Sequence, residues 1–461
     1  MKSLCVKFLM IPILIVVSVR ELMGQENLPS LIEEGVTNYP IIKAKLAEVE
    51  RAHRDVSVAK AEYVPKLAVQ HQYTYATSNS LQGSYYPNPA VISPAGSIRS
   101  DNINQAAWGS YTSLLLEWNV FNFGKVSGNT QVYRTLDDAA RANYDNELLQ
   151  HKVRIADAYL LTLMNLKLRE IQSANLNRAR AFIDAVSARV SAGMQAGTDS
   201  SLASAEFTRA KILFLQAKRD EQTQSLRLQE FIGRQSLDSL VVDSMSFLTS
   251  APVRLDTGEW NPKSNPLLRY YGLISQASQA RSIAVRRSFL PSLTLVGAAW
   301  ARGSGISSDD TYRTDFSSGT KYQVYNYLLG ISTRWTISDF VSNRQKYKKE
   351  YYNTIRDQEV YQEQDLRMRR QVSESELQYQ ISLEQAKAAP IQLNAAQQAY
   401  RQAAARYDSG LADLLTLMQS ITTLNRAEAD MAIAHMNVWR SLLAISAARG
   451  DFSIFMDAVG R

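Results

Sequence analysis

The sequence predicts an internally duplicated α+β membrane protein: four β-strands per protomer, closed into a barrel only by sister subunits and continued by very long helices. Three observations predict it. Motifs recur at one fixed offset, two of the alternating segments carry aromatic residues ten positions apart, and two stretches far longer than a globular helix contain almost no glycine or proline.

The 461 residues are 45% hydrophobic, with a mean hydropathy of −0.24. This excludes a disordered chain and a bundle of membrane helices. Residues 1–24 read as a secretory signal: Lys2 and Lys7 make a basic start, Phe8 to Val19 is apolar, and Leu22-Met23-Gly24 ends on a small residue. The apolar run falls short of the roughly 20 residues a spanning helix needs. Cleavage after Gly24 lowers the formal charge from +7 to about +5, and no run of basic residues points to nucleic acid. The only cysteine, Cys5, lies inside the signal, so the mature chain is expected to hold no disulfide and no thiolate ligand.

A duplication organises the chain. Trp118-Asn-Val-Phe-Asn-Phe123 recurs as Trp335-Thr-Ile-Ser-Asp-Phe340 after 217 residues, and Arg189-Val-Ser-Ala-Gly193 recurs as Arg406-Tyr-Asp-Ser-Gly410 at the same offset, as do Gly233 and Gly450. Pro40 and Pro65 match Pro266 and Pro291 at an offset of 226, which places a length difference in a loop. The expected organisation is a first repeat over 25–233, an irregular connection over 234–263, a second repeat over 264–450, and a short tail over 451–461, loose or packed on the surface. Each repeat opens with a helical stretch, about 40–63 and about 266–288.

Two strands come next in each repeat. From Trp108 to Val120 one face reads Trp108, Ser110, Thr112, Leu114, Leu116, Trp118, Val120, and the matching segment gives Tyr325, Tyr327, Leu329, Ile331, Thr333, Trp335, Ile337. Period-two alternation marks a strand with one buried face. Trp108 and Trp118, like Tyr325 and Trp335, are expected at the two interfaces of a membrane, since ten residues tilted near 45° rise about 23 Å. The partner strands are less regular, with His71 among Leu67, Val69, Tyr73 and Tyr75. In lipid such a sheet must close. Four strands cannot close, but three chains supply twelve, within the range of known barrels. The loops 78–107 and 303–322, rich in Ser, Gly, Asn and Pro, suit the outward side.

Asn129–Ala192 contains 64 residues without glycine or proline, and Val341–Ser409 contains 69 with only Pro390. Each predicts roughly 100 Å of helix. A local bend is expected at Pro390. Return helices are expected over Thr198–Ile232 and Leu411–Arg449. Mixed charge outside and dense alanines, such as Ala395, Ala396 and Ala399, suit close helix packing.

The two Trp-x-(Val/Ile)-x-(Asn/Asp)-Phe segments, the two Arg-x-x-x-Gly turns and Thr422-Thr423-Leu424 recur in an order that resembles the TolC-like outer-membrane efflux protein family, over nearly the whole mature length. The resemblance implies a homotrimer, a twelve-stranded barrel in outer-membrane lipid and a helical barrel through the periplasm. It implies docking of the tip turns (Arg189, Gly193, Arg406, Gly410) to a periplasmic adaptor and an inner-membrane pump. It also implies a passive conduit for small molecules or proteins, closed at its helix tips by polar contacts. Asp199 and Tyr407 match residues of that closing network. Ala412 stands where an arginine is expected, and Thr416 and Gln419 stand where the best-known member has two lumen-facing aspartates. The constriction is therefore expected to be less acidic, with Asp408 and Asp413 either compensating or facing solvent.

The residues of an enzyme are not evident. His53, His71, His151 and His435 show no metal-ligand spacing. Ser57-Val-Ala-Lys60 lacks companion motifs, and Gly303-Ser-Gly305 lacks the lysine of a phosphate cradle. No catalytic site, cofactor or metal is expected. The competing reading is a periplasmic coiled-coil adaptor or scaffold without a membrane barrel.

Overall fold

The computed structural model describes residues 26–79, 100–194, 196–234, 247, 259–307 and 309–459. The expected signal over 1–24 and most of the connection over 234–263 lie outside the described residues. The elements are α1 (Leu28–Asn38), α2 (Pro40–Ala61), β1 (Lys66–Ala76), β2 (Ala107–Phe121), α3 (Lys125–Ser191), α4 (Gly197–Ile232), α5 (Pro266–Arg287), β3 (Ser292–Ser304), α6 (Phe316–Thr320), β4 (Val324–Arg334), α7 (Asp339–Asp408), α8 (Leu414–Arg449) and α9 (Ser453–Val459). A single 3-10 turn, Pro262–Ser264, precedes α5. The order helix, strand, strand, long helix, return helix occurs twice among the described residues.

α3 holds 67 residues and α7 holds 70, so each extends on the order of 100 Å. α7 is helical throughout, including Pro390. β4 ends at Arg334, earlier than the alternation predicts, and Trp335 and Ile337 lie beyond it, outside the strand. No helix among the described residues is long and apolar enough to cross a membrane.

The chain divides into two compact units. The first comprises residues 1–44, 145–265 and 367–461. Its core brings Leu28 and Leu31 of α1 against Ile155, Tyr159 and Leu163 of α3, Leu228 and Ile232 of α4, and Met436, Trp439 and Leu442 of α8. α1 carries no motif of the repeat. Asn27 caps it by accepting from the amide of Ser30, and Arg234 clamps it with paired hydrogen bonds to Glu26 and Glu34 at 2.6–3.0 Å. Bidentate guanidinium–carboxylate geometry fixes direction as well as distance. Arg178–Glu428, Arg440–Asp157 and Arg449–Glu376 join helices of the same unit.

The tail, for which the sequence leaves open a loose or a packed end, carries a packed helix among the described residues. Residues 453–459 form α9, and Phe455 is fully buried against Trp439 and Phe452. An isolated seven-residue helix is unstable in water, so α9 exists because its apolar side chains complete this core. The second unit, residues 45–144 and 266–366, is built on the antiparallel sheet β1-β2-β3-β4.

His151 is the least expected member of the first unit's interior. It is fully buried and stacks on Tyr39 at 4.2 Å, and neither ring nitrogen has a hydrogen-bond partner at good geometry. Burial, with Arg154 adding to it, pulls its pKa down, against the opposing pull of the Gly35 and Phe231 carbonyls and of Glu147. A folded pKa below the unfolded one means the unfolded chain binds the extra proton. The stabilisation is then present above the ordinary imidazole pKa and is lost as pH falls through it. Melting curves in detergent are expected to show stability dropping below about pH 6.5, and His151→Phe should flatten that drop; an identical pH profile rejects the assignment. Phe455→Ala should cost about 3–5 kcal/mol of unfolding free energy, read as a lowered denaturation midpoint.

Candidate functional site

The sheet separates its side chains by chemistry. Its register aligns Val69, Leu114, Ala299 and Tyr327 in one row, Leu67, Leu116, Gly297 and Leu329 in the next, and Trp118, Leu295 and Ile331 in a third, all on one face. This face carries no carboxylate, lysine or arginine. The four such residues in the strands, Lys66, Glu117, Arg302 and Arg334, all fall on the opposite face. The apolar face is open to the surroundings: Val69 is 73%, Tyr327 83% and Leu329 78% exposed. An apolar face this large, uncovered and uncharged, is what a strand shows to lipid.

The edges of the sheet carry the second requirement. β1 and β4 are the outer strands, and among the described residues nothing pairs with their free sides. Each is 11 residues long. Every second residue of an edge strand leaves its amide and carbonyl unpaired, and in hydrocarbon each such group costs several kcal/mol. The total, on the order of tens of kcal/mol, forbids a single chain from resting in lipid as it stands.

At one end of the apolar face a strap covers three rows. α6 and the residues after it lie across β2: Phe316 meets Trp108 with ring centroids 5.0 Å apart and Tyr73 at 6.1 Å. Gly319 sits so close to the Trp108 backbone that a Cβ there would lie 2.1 Å from its carbonyl oxygen. Ser110 donates to the Thr320 carbonyl at 3.3 Å. His71 and Thr112 share a 2.5 Å hydrogen bond, and the Tyr322 hydroxyl bonds to Thr112 and lies 3.3 Å from His71. This accounts for a histidine in an otherwise apolar stripe: its ring is partnered by Thr112 and Tyr322. It also changes the surroundings of Trp108, whose ring is covered by the strap, whereas Tyr325 remains open.

At the other end, the two repeats make one bond twice. Trp118 Nε1 donates to the Tyr63 carbonyl at 3.0 Å, and Trp335 Nε1 donates to the Phe289 carbonyl at 3.1 Å. Each indole keeps its apolar body exposed while its N–H is satisfied, as tryptophans at a membrane boundary require.

The helix tips lie in the first unit. Gly193 and Gly410 follow α3 and α7 at φ of 75° and 74°, in the left-handed region that ends helices and favours glycine. Tyr407 is buried in a cluster with Phe182, Val186, Ala203, Leu414 and Leu417. Arg189 lies over its ring at 5.0 Å and reaches Asp408 at 3.0 Å. Arg406, by contrast, is exposed, and among the described residues it approaches only the Leu411 carbonyl, at 3.5 Å. Asp413 is the N-cap of α8: its carboxylate accepts from the Thr416 amide at 3.0 Å and from the Thr416 hydroxyl. These bonds hold its pKa below the usual carboxylate range. Asp199 occupies the first turn of α4, half-buried, with no side-chain hydrogen bond among the described residues. Ala412 is partly buried, and Gln419 is exposed.

The structure thus brings Arg189, Tyr407 and Asp408 together and joins Asp413 to Thr416; no hydrogen bond links Asp199 to Tyr407 among the described residues. The strap residues Phe316 and Tyr322 and the Arg189–Asp408 pair escape the sequence reading. Asp413-x-x-Thr416 carried a signal, the spacing of an N-cap. No cluster of metal-ligating side chains occurs among the described residues.

Solved channels share this architecture. CusC superposes with a TM-score of 0.76 at 14% identity, covering 93% of both chains. CmeC of Campylobacter jejuni, an outer membrane channel, gives 0.74 at 14% identity over 92% of this chain and 86% of its own. VceC, an outer membrane protein of Vibrio cholerae, gives 0.71 at 16% identity over 92% and 96%. No curated protein sequence matches. The profile of the outer membrane efflux protein family matches residues 31–234 and 263–451, both repeats and most of the chain. The protein belongs to the outer membrane efflux protein family and is a channel of the outer membrane that extends into the periplasm.

Proposed function

We propose that three copies of this chain assemble into one passive duct, the outer-membrane component of a tripartite export system. The observation that carries this reading is the sheet: one face free of charge, both edges unpaired, and too few strands to close alone. Joining β4 of one chain to β1 of the next removes every edge, and three chains make twelve strands. The cargo moves through without covalent change, and no catalytic group is assigned.

In this reading the tips form the resting closure and the docking point for a periplasmic adaptor, behind which stands an inner-membrane pump. Arg189 serves the closure by bridging α3 to Tyr407 and Asp408. Arg406, Gly193 and Gly410, exposed at the turns, are left for the adaptor. Asp199, half-buried in the first turn of α4, is assigned in this reading to contact with a neighbouring chain. Asp413 and Thr416 start α8 and hold its first turn, with Gln419 the remaining polar group toward a lumen.

Purified mature protein should run as a trimer in detergent and form channels in planar bilayers. A stable monomer in plain buffer with no affinity for vesicles contradicts the assembly. Asp199→Ala, and separately Arg189→Ala, should raise single-channel conductance or open probability, because losing about 1 kcal/mol of closing interaction raises the open population about fivefold. Tyr407→Ala should do the same, with Tyr407→Phe separating the hydroxyl from the ring that packs on Phe182. Unchanged conductance in the Asp199 and Tyr407 variants together rejects the closure assigned here.

A further inference from the structure

The polar face of the sheet has an unbalanced charge. Of its four charged residues, Lys66 and Glu117 stand directly opposite each other in register. Arg302 stands opposite Tyr111 and Val324, and Arg334 opposite Ser292, with no carboxylate across from either. Glu117 is the only carboxylate in the four strands. Pairing β4 with the β1 of a sister chain therefore brings no acid to these arginines, because β1 contains none. Both side chains are exposed. Val324, the register partner of Arg302, and Arg334 stand at the two ends of β4, which separates the two arginine levels by about 23 Å of barrel height.

We infer that the barrel lumen carries two rings of uncompensated arginine, one near each end, and favours anions over cations. The inference rests on the trimeric duct proposed above and names the charge class that its lumen accepts. Each ring holds three guanidiniums that stay charged at any physiological pH. Rings of arginine or lysine are a device by which pores select anions. At the Arg302 level the lumen face also holds Tyr111 opposite and Trp300 two residues before on β3. Aromatic surface beside a guanidinium suits organic anions with a flat apolar body. The solutes that fit are small anions and amphipathic carboxylates or sulfonates.

Reversal potentials across bilayers in a KCl gradient test this directly. The unaltered channel should show a chloride-to-potassium permeability ratio above one. The double variant Arg302→Ser/Arg334→Ser should lower it by about twofold or more, while Arg302→Lys/Arg334→Lys should retain it. A second measurement needs no variant: raising KCl from about 0.1 M to about 1 M contracts the screening length from about 10 Å to about 3 Å, so the ratio should fall toward one. A serine double variant that stays trimeric and conducting with an unchanged ratio overturns the inference, as does a ratio in the unaltered channel that is cation-favouring or indifferent to salt. If the unaltered protein gives no trimeric channel, the assembly reading itself fails and takes the rings with it, an outcome told apart by mass and by the lack of any conductance.

Discussion

Backbone hydrogen bonding in a solvent that offers none is the constraint on which this protein depends. Water satisfies the outer edge of an ordinary sheet; hydrocarbon does not. The apolar rows through Leu114, Leu116 and Trp118 favour entry into lipid, yet β1 and β4 reach it with one side each unbonded. The same strands that make the membrane favourable make the lone chain intolerable there. Oligomerisation in such a sheet is the completion of a hydrogen-bond network, and the alternation of side chains decides which face lipid meets.

The two repeats solve equal problems with unequal chemistry. The indoles of Trp118 and Trp335 bond to equivalent carbonyls, and Gly193 and Gly410 take the same backbone conformation. The tips diverge beyond that. α8 is capped by an aspartate, Asp413, whereas the N-cap of α4 is Ala196, which offers no side-chain cap. An uncapped first turn leaves amides in need of an acceptor, so the two hairpins are not equally tied at their ends. Arg189 ties the tips together in another way, holding Tyr407 and Asp408 of the second hairpin from α3. An ion pair this exposed contributes little by itself; its position over a buried tyrosine ring is what gives it direction.

Polar groups on the apolar face obey the same constraint. His71, Ser110 and Thr112 would each be a liability against lipid. The strap converts them into an attachment, supplying the Tyr322 hydroxyl and the Thr320 carbonyl and covering the rest with Phe316. The exposed apolar band then begins at the row of Val69 and Leu114.

Periodicity and repetition made most of the architecture readable in advance. A period of two with aromatics at both ends is local information, as is a run of 64 residues without a helix breaker. Turn glycines at one offset locate the hairpins because only backbone at positive φ needs them there. What no local pattern could reveal is which distant groups meet. α1 and α9 are short and exist only by packing on α3, α4 and α8, so Leu28 and Phe455 look unremarkable in sequence and are buried in the core. Tyr322 lies in a polar loop until the folded chain lays it over His71. Spacing along one chain was enough to specify the strands and the long helices. The strap, the Arg189 bridge and the charge of the sheet's polar face emerged only on folding, because register and side-chain contact arise between residues far apart in the chain.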